Sequence, residues 1–197
     1  MDAQKNKYLS ESLDLLRQIK GHRIVRMVRL FCGDENRFLG DFPAVARSGL
    51  FSSSGHALFV QIETVGWVAF AEREREMSVV MWQLDRLPEL NSTSNADVEK
   101  TNHVDYIECS DPFRSEQYWA DFLGKRISEV KIISLSVDRE NVRPFRNERG
   151  LFLLNESGDD MIIETSLAKK GIPAGLNIIA NAQIRAELRN DLVVQEV

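Results

Sequence analysis

The chain has 197 residues, of which 43% are hydrophobic and 28% charged, and its formal net charge is −5. This composition is typical of a globular protein with a core of its own, and it argues against a disordered or fibrous chain. The acidic balance argues against nucleic-acid binding, which needs a basic surface. No apolar run of about 18 residues occurs and the first ten residues lack an apolar stretch, so we expect no membrane span and no export signal.

The negative charge is concentrated in one stretch of the chain. Residues 1–90 contain 12 Lys and Arg against 12 Asp and Glu, and residues 124–197 contain 11 against 11. Residues 91–123 contain 2 against 7, and this difference, 2 − 7 = −5, equals the net charge of the chain. We therefore predict two neutral modules at 1–90 and 113–197, joined by an acidic connector at 91–112 that opens with a polar linker at 91–97.

In the first module, apolar spacing and turn residues predict a helix followed by strands. In chain order these are an amphipathic helix over 7–20 that ends at Gly21, a strand over 23–31, a turn at 33–36, a hairpin of 50–51 and 57–62 joined by the loop 52–55, and a second hairpin of 67–70 and 77–82. One short strand over 104–109 is predicted in the connector.

The second module repeats this order. Its predicted elements are a helix whose start is marked by Asp111-Pro112 followed by Ser115-Glu116 and which ends before Gly124, a strand over 127–137, a turn at 138–141, a hairpin of 150–154 and 161–165, and a terminal strand at 192–194. The region 176–188 fits either strands interrupted at Asn181 or a helix that runs through to Arg189, and both interpretations stay open.

Three short signals occur in the same order in both modules, which predicts an internal duplication. The first module has Gly-His-Arg-Ile at 21–24, Gly-Leu-Phe at 49–51 and Ile-Glu-Thr at 62–64. The second has Gly-Lys-Arg-Ile at 124–127, Gly-Leu-Phe at 150–152 and Ile-Glu-Thr at 163–165. The predicted fold is α+β, with two duplicated helix-plus-antiparallel-sheet modules, packed against each other or joined as one fused sheet or partial barrel.

The duplication would give Glu63 and Glu164 matching positions. If the modules face each other across a groove, this carboxylate pair could support hydrolysis, and a hydrolase or a ligand-binding enzyme is therefore the alternative function. The simpler interpretation is that both are solvent-facing strand residues retained with the fold. No phosphate-binding glycine motif occurs, and His22, His56 and His103 have no metal-ligand spacing, so we predict neither cofactor nor metal.

Cys32 and Cys109 are too few for a disulfide scaffold and form no Cys-x-x-Cys motif. We predict reduced thiols and a cytoplasmic location, with a single Cys32–Cys109 bridge as the alternative. Arg23, Arg26 and Arg29 should alternate between the two faces of their strand and pair with nearby acids.

The leading functional prediction is a non-enzymatic protein-binding module of the immunity or inhibitor type, since the chain is small, acidic and poor in catalytic motifs. Its partner would be a protein with a basic surface. The predicted binding residues are three tryptophans, for which packing in the core or between the modules is the commoner interpretation, and three acids of the connector region: Trp67, Trp82, Trp119, Asp105, Glu108 and Asp111.

Overall fold

The computed structural model describes residues 7–53, 56–73, 77–90, 104–136, 148–165, 167, 174–184 and 186–197. The elements of the first half are β1 (Lys7–Tyr8), α1 (Leu13–Ile19), β2 (Ile24–Cys32), α2 (Glu35–Asp41), α3 (Leu50–Ser53), β3 (Leu58–Ile62), β4 (Gly66–Arg73), β5 (Ser78–Leu84) and β6 (Val104–Glu108). Those of the second half are α4 (Gln117–Asp121), β7 (Ile127–Leu135), β8 (Glu148–Asn155), β9 (Asp160–Thr165), β10 (Leu176–Ile179) and β11 (Leu192–Glu196).

The strands form two antiparallel sheets. The first sheet has the order β1-β5-β4-β3-β2-β6, and the second has the order β10-β9-β8-β7-β11. The predicted α+β class with antiparallel sheets is therefore confirmed. Each sheet ends in edge strands, so the described residues form no closed barrel.

The two sheets are built in the same way. In the first sheet, β3, β4 and β5 follow one another on one side of β2, and β6 returns to the other side of β2. In the second sheet, β8, β9 and β10 follow on one side of β7, and β11 returns to its other side, so that β2–β6 correspond to β7–β11. The register also agrees where the two strands begin, because a bulge follows Ile24 in β2 and Ile127 in β7. Ile24 pairs with Ile62 at the end of β3, and Ile127 pairs with Asn155 at the end of β8.

The two halves meet where β2 and β7 begin. Gly21 and Gly124 have φ angles of +87° and +74°, a region that favours glycine, so each helix is followed by a glycine in the left-handed conformation. Gly21 N donates a hydrogen bond to Ile127 O at 2.8 Å, and Gly124 N donates to Ile24 O at 2.8 Å. In each of these reciprocal bonds, the glycine that precedes β2 or β7 binds the first residue of the other of these two strands.

The shared Gly-Leu-Phe and Ile-Glu-Thr letters do not mark equivalent positions. The predicted strand at 50–51 is helix α3, whereas Gly150 lies inside β8. Glu63 follows β3, while Glu164 lies in β9, the strand that corresponds to β4. The proposed matching of the two glutamates is therefore wrong, since a short apolar tripeptide suits a helix as well as a strand and does not determine register.

The first helix is shorter than the predicted 7–20. Tyr8 pairs with Val80 in β5, so the chain at Lys7–Tyr8 is used as an edge strand, and α1 begins only at Leu13. Lys7 and Tyr8 form a strand because the backbone N–H and C=O groups along the edge of β5 need hydrogen-bond partners.

The turn predicted at 33–36 is the start of helix α2. Asp34 Oδ1 accepts a hydrogen bond from Arg37 N at 2.8 Å, so Asp34 is the N-cap of α2. An aspartate in this position satisfies one of the free N–H groups at the start of a helix. The Gly-Asp pair was correctly read as a break in the strand, but not as a helix start.

Other predicted elements agree with the structure. The hairpins formed by β4 with β5 and by β8 with β9 are confirmed, as are β6, α4 and the terminal strand β11. The open region after residue 176 forms β10 and then 3₁₀ turns at Asn181–Gln183 and Ala186–Asp191. The predicted linker at 91–97 and the predicted turn at 138–141 lie outside the described residues.

The core lies between the inner faces of the two sheets. One continuous buried cluster takes side chains from both halves, with Met27, Val60 and Phe70 from the first sheet and Leu151 and Ile163 from the second. Each outer face has its own apolar layer. Leu87 packs on the outer face of the first sheet, and Ile184 and Leu188 pack on that of the second.

Candidate functional site

The loop between β6 and α4, residues 109–115, is fixed by its own hydrogen bonds, and we call it the Phe113 loop. Asp111 Oδ1 accepts hydrogen bonds from Phe113 N at 2.9 Å and from Arg114 N at 3.3 Å. Asp111 O accepts from Ser115 N at 2.9 Å. An aspartate that binds the N–H groups following it holds the backbone in a turn, so the conformation of this loop is set locally.

Arg114 ties the Phe113 loop to the rest of the molecule. Its Nε donates to Asp111 Oδ2 at 2.6 Å, and its Nη1 donates to Asp105 Oδ2 of β6 at 2.7 Å and to Glu35 Oε1 of α2 at 3.2 Å. The Arg114 carbonyl accepts a hydrogen bond from Phe51 N at 2.8 Å. Because Arg114 is only 24% exposed, these ion pairs are less screened by water than ordinary surface pairs.

The electrostatics of the loop favour the charged forms. Burial alone would lower the pKa of Arg114, but its hydrogen bonds to Asp105, Asp111 and Glu35 outweigh burial and raise that pKa. Burial would likewise raise the pKa of Asp111, but the hydrogen bonds from Arg114 and from Phe113 N lower it overall. Both groups are therefore ionised at neutral pH and hold the loop in place.

Phe113 projects from this ordered loop into solvent. Its side chain is 77% exposed, more than any other large hydrophobic residue in the described part of the chain. Val104, at the start of the neighbouring strand β6, is 42% exposed. A phenylalanine that is not covered by the fold but sits on a fixed backbone is suited to enter a pocket on another molecule.

The surroundings of Phe113 carry a small excess of negative charge. The carboxylates of Glu35, Asp105 and Asp111 are arranged around Arg114, and Arg47 Nη1 forms a second ion pair with Glu35 Oε2 at 2.8 Å. Three carboxylates thus face two guanidinium groups. Two of the predicted binding acids, Asp105 and Asp111, therefore lie within one network at this loop.

The third predicted acid, Glu108, lies on the outer face of the first sheet. Arg26 Nε donates to Glu108 Oε1 at 3.0 Å, and the Arg26 guanidinium lies 5.6 Å from the ring centroid of Trp67. Trp67 is 8% exposed, and the half-buried Trp82 and Tyr106 pack in the same apolar layer. The structure thus brings Trp67 and Glu108 together through Arg26 on the outer face of the first sheet. Glu108 is the last residue of β6, directly before the Phe113 loop.

Trp119 belongs to the core. It is 1% exposed, lies in α4 and packs edge-to-face against Tyr118 with 4.8 Å between the ring centroids. Of the two interpretations of this tryptophan, the structure supports the core residue.

The structure does not bring Glu63 and Glu164 into one groove. Glu63 lies in the turn between β3 and β4, and its backbone N–H donates to Arg23 O at 2.9 Å. Glu164 is fully buried in β9, between Gly150 on β8 and Asn177 on β10, and it accepts a hydrogen bond from Leu167 N. One is a turn residue and the other an interior residue.

Arg29 occupies the interior instead of pairing with acids at the surface. It is 0% exposed, and its Nη1 donates to His56 O at 2.6 Å and to Leu176 O of β10 at 3.0 Å. Its Nε donates to Phe51 O at 3.0 Å. Burial lowers the pKa of Arg29 to about 9, while the nearby Glu164 carboxylate favours the charged form. The guanidinium thus links the two sheets.

The described thiols and histidines include one close pair, in which the His56 ring hydrogen-bonds to the backbone of Cys32. Cys32 is exposed, Cys109 is buried, and neither is in a disulfide, so the predicted alternative of a bridge is wrong. His22 Nδ1 lies 3.1 Å from Thr64 Oγ1, and His103 falls outside the described residues. Among the described residues, no group of three or more His, Cys, Asp and Glu could hold a metal ion.

Phe113 is not among the binding residues predicted from the sequence, because the Asp111-Pro112 pair before it was interpreted only as the start of a helix. The sequence signal was present, since an Asp-Pro pair marks a turn and the next residue is aromatic. The sequence pattern did not show that Arg114 would hold this turn against β6 and α2.

Comparison with known proteins adds no relative to this description. No family model, no curated protein and no solved structure matches the chain. Across the described ranges, none of the helices combines the length and apolar content that a bilayer crossing requires.

Proposed function

We propose that the protein is a non-enzymatic protein-binding module of the immunity or inhibitor type, and that the Phe113 loop is its contact site. The observation that carries this proposal is the 77% exposure of Phe113 on a loop already fixed by Asp111 and Arg114. Burying an aromatic side chain of this size in a partner contributes about 1.5–3 kcal/mol. Because the loop is ordered in advance, little of that contribution is lost to ordering it on binding.

The expected partner is a protein with an apolar pocket and a basic rim. Phe113 would fill the pocket, and Glu35, Asp105 and Asp111 would face the rim, since they outnumber the two arginines paired with them. Such complementarity speeds association and selects the partner more than it strengthens binding. We also propose a cytoplasmic location, because the free thiols of Cys32 and Cys109 suit a reducing compartment.

We further infer that the two halves arose by duplication, with the strand order, the bulges and the Gly21 and Gly124 hydrogen bonds as support. This duplication would be contradicted by related sequences in which the segments that correspond to residues 21–24 and 124–127 do not resemble each other. The alternative of a hydrolase has no comparable support, since Glu63 and Glu164 are not placed together.

The test compares the full chain with Phe113→Ala as bait for partner capture from the native cell, followed by affinity measurement with the purified partner. We expect Phe113→Ala to weaken binding by at least about 30-fold, the loss typical of a central aromatic contact. Val25→Ala is the matched control, because Val25 is 53% exposed elsewhere and should bind like the parent chain. Failure to recover any stoichiometric partner, or equal affinity of Phe113→Ala and the parent, would contradict the proposal.

A further inference from the structure

In the part of the chain that the structure describes, four strands lie at the edges of the two sheets, and three of them are protected. β1 has only two residues, and β6 carries Asp105 and Glu108. On β10, helix α3 packs nearby and Leu176 O accepts a hydrogen bond from Arg29. Short length, charge and coverage are the usual ways in which proteins prevent an edge strand from pairing with another chain.

The fourth edge strand, β11, is the least protected of those in the described residues, because its one charged side chain, Glu196, lies at its end and pairs with Lys131. Its five residues form a regular ladder with β7, yet none of them is buried. Val193 is 52% exposed and Val194 is 54% exposed. Successive side chains of a strand point to opposite faces, so each face of this edge exposes one valine.

The direction of the free backbone groups follows from the ladder. Ser136 N donates to Asp191 O at 2.7 Å, and Val197 N donates to Val130 O at 3.3 Å. Because backbone groups alternate in direction along an antiparallel strand, those of residues 191, 193, 195 and 197 face β7. The N–H and C=O groups of Leu192, Val194 and Glu196 therefore face away from the sheet.

We propose that β11 pairs with β11 of a second copy of the chain, antiparallel, about a two-fold axis at Val194. In this register Val194 lies opposite Val194 of the second copy, and Leu192 lies opposite Glu196 of the second copy. Each of these pairs exchanges two backbone hydrogen bonds. No two like charges are opposed, which is the condition that a self-pairing strand must meet.

The pairing also extends an apolar layer that already exists. Leu192 packs with Ile133 and Leu135 on the outer face of the second sheet, and Val194 pairs directly with Ile133 in the β7 ladder. Val194 thus adjoins that layer, and its counterpart would continue it across the axis into a sheet of both copies. A contact of one strand pair is smaller than a standard interface, so we expect a dissociation constant in roughly the micromolar range.

The first test is size-exclusion chromatography with light scattering on the full chain, over dilutions from about 100 µM to about 1 µM. We expect a mass of two chains at the highest concentration and a decline towards one chain on dilution. A single-chain mass at every concentration would overturn the proposal. This outcome is independent of partner binding, which is measured through Phe113.

Val194→Pro tests the role of the outward N–H group. The substitution removes a donor that β7 does not use, so the dimer should be lost. Val194→Lys makes the same test without the proline constraint, because it opposes two cations across the axis. Val25→Lys is the control on another exposed valine and should remain dimeric. Dimers that persist in folded Val194→Lys would overturn the proposal, whatever the stability of Val194→Pro.

A disulfide cross-link tests the register. In a Cys32→Ser background, which removes the exposed thiol, Val194→Cys places two thiols opposite each other at the axis. The Cα atoms of such a pair are about 5.5 Å apart, within the range of a disulfide. Val193→Cys places them opposite Gln195 instead and should not cross-link. Equal cross-linking of both variants, or none in Val194→Cys, would overturn the proposed register.

Discussion

Replacing Arg29 removes the one guanidinium that the described core contains at 0% exposure. In Arg29→Met, a side chain of similar length fills the space but donates no hydrogen bond. The carbonyls of Phe51, His56 and Leu176 would lose their charged donor, and the buried carboxylate of Glu164 would lose its nearby cation. The substitution therefore leaves polar groups behind that cannot reach water.

The loss should be large for a single substitution. Removing one partner of a buried charge pair typically costs about 3–5 kcal/mol, mainly because the other charge is left uncompensated. We expect Arg29→Met to lower the free energy of unfolding by this amount. Glu164→Gln removes the charge left behind but keeps an acceptor for Leu167 N. The double variant should therefore recover about 1–3 kcal/mol relative to the sum of the single changes.

Equilibrium urea unfolding followed by tryptophan fluorescence measures these differences, provided that the four chains unfold with similar m-values. Arg17→Met is the control, because Arg17 is a surface residue with one exposed ion pair to Asp14 and should change stability by less than about 0.5 kcal/mol. A loss below about 1 kcal/mol for Arg29→Met, or strictly additive effects with Glu164→Gln, would refute the assigned role of Arg29.

Two further predictions concern packing and thiol burial. In Gly150→Ala the new Cβ would lie 3.2 Å from Ile163 O, so the free energy of unfolding, measured by thermal unfolding, should fall by about 1–3 kcal/mol. In the control Gly40→Ala in α2, the new Cβ meets no atom within 4 Å, and the change should be neutral or stabilising. Burial raises the pKa of Cys109 to about 11, so alkylation at pH 8 should modify Cys32 alone until the chain is unfolded. Equal losses for the two glycine variants, or modification of native Cys109 as fast as Cys32, would contradict these statements.

The parts of the fold that could be predicted are those set by local chemistry. Gly21 and Gly124 take left-handed backbone conformations for which glycine is favoured, and the hairpin of β8 and β9 turns at Gly158, which has a φ of +89°. Such positions show directly in a sequence because few other residues can occupy them. The strand β6 was likewise visible as a short run containing Val, Tyr and Ile, which favour strands.

The parts that could not be predicted depend on contacts between distant residues. Arg29 reads as one of three arginines that pair with nearby acids, and its burial follows from the positions of α3 and β10, which supply the Phe51 and Leu176 carbonyls. Phe113 becomes a candidate contact residue only because Arg114 reaches Glu35 and Asp105. The two identical Gly-Leu-Phe tripeptides were misleading because a local sequence match carries no information about strand register.

The shared core also determines the order in which the chain can be completed during its synthesis. The inner face of the first sheet is covered by Leu151, Ile163 and Leu176, which leave the ribosome only after β2 to β6 have been made. Until then an apolar sheet surface stays uncovered on the nascent chain, which makes this interval the one in which aggregation competes most strongly with folding. The two halves thus share a strand order but fold under different conditions. Only the second half can pack, as it is made, against a sheet that already exists.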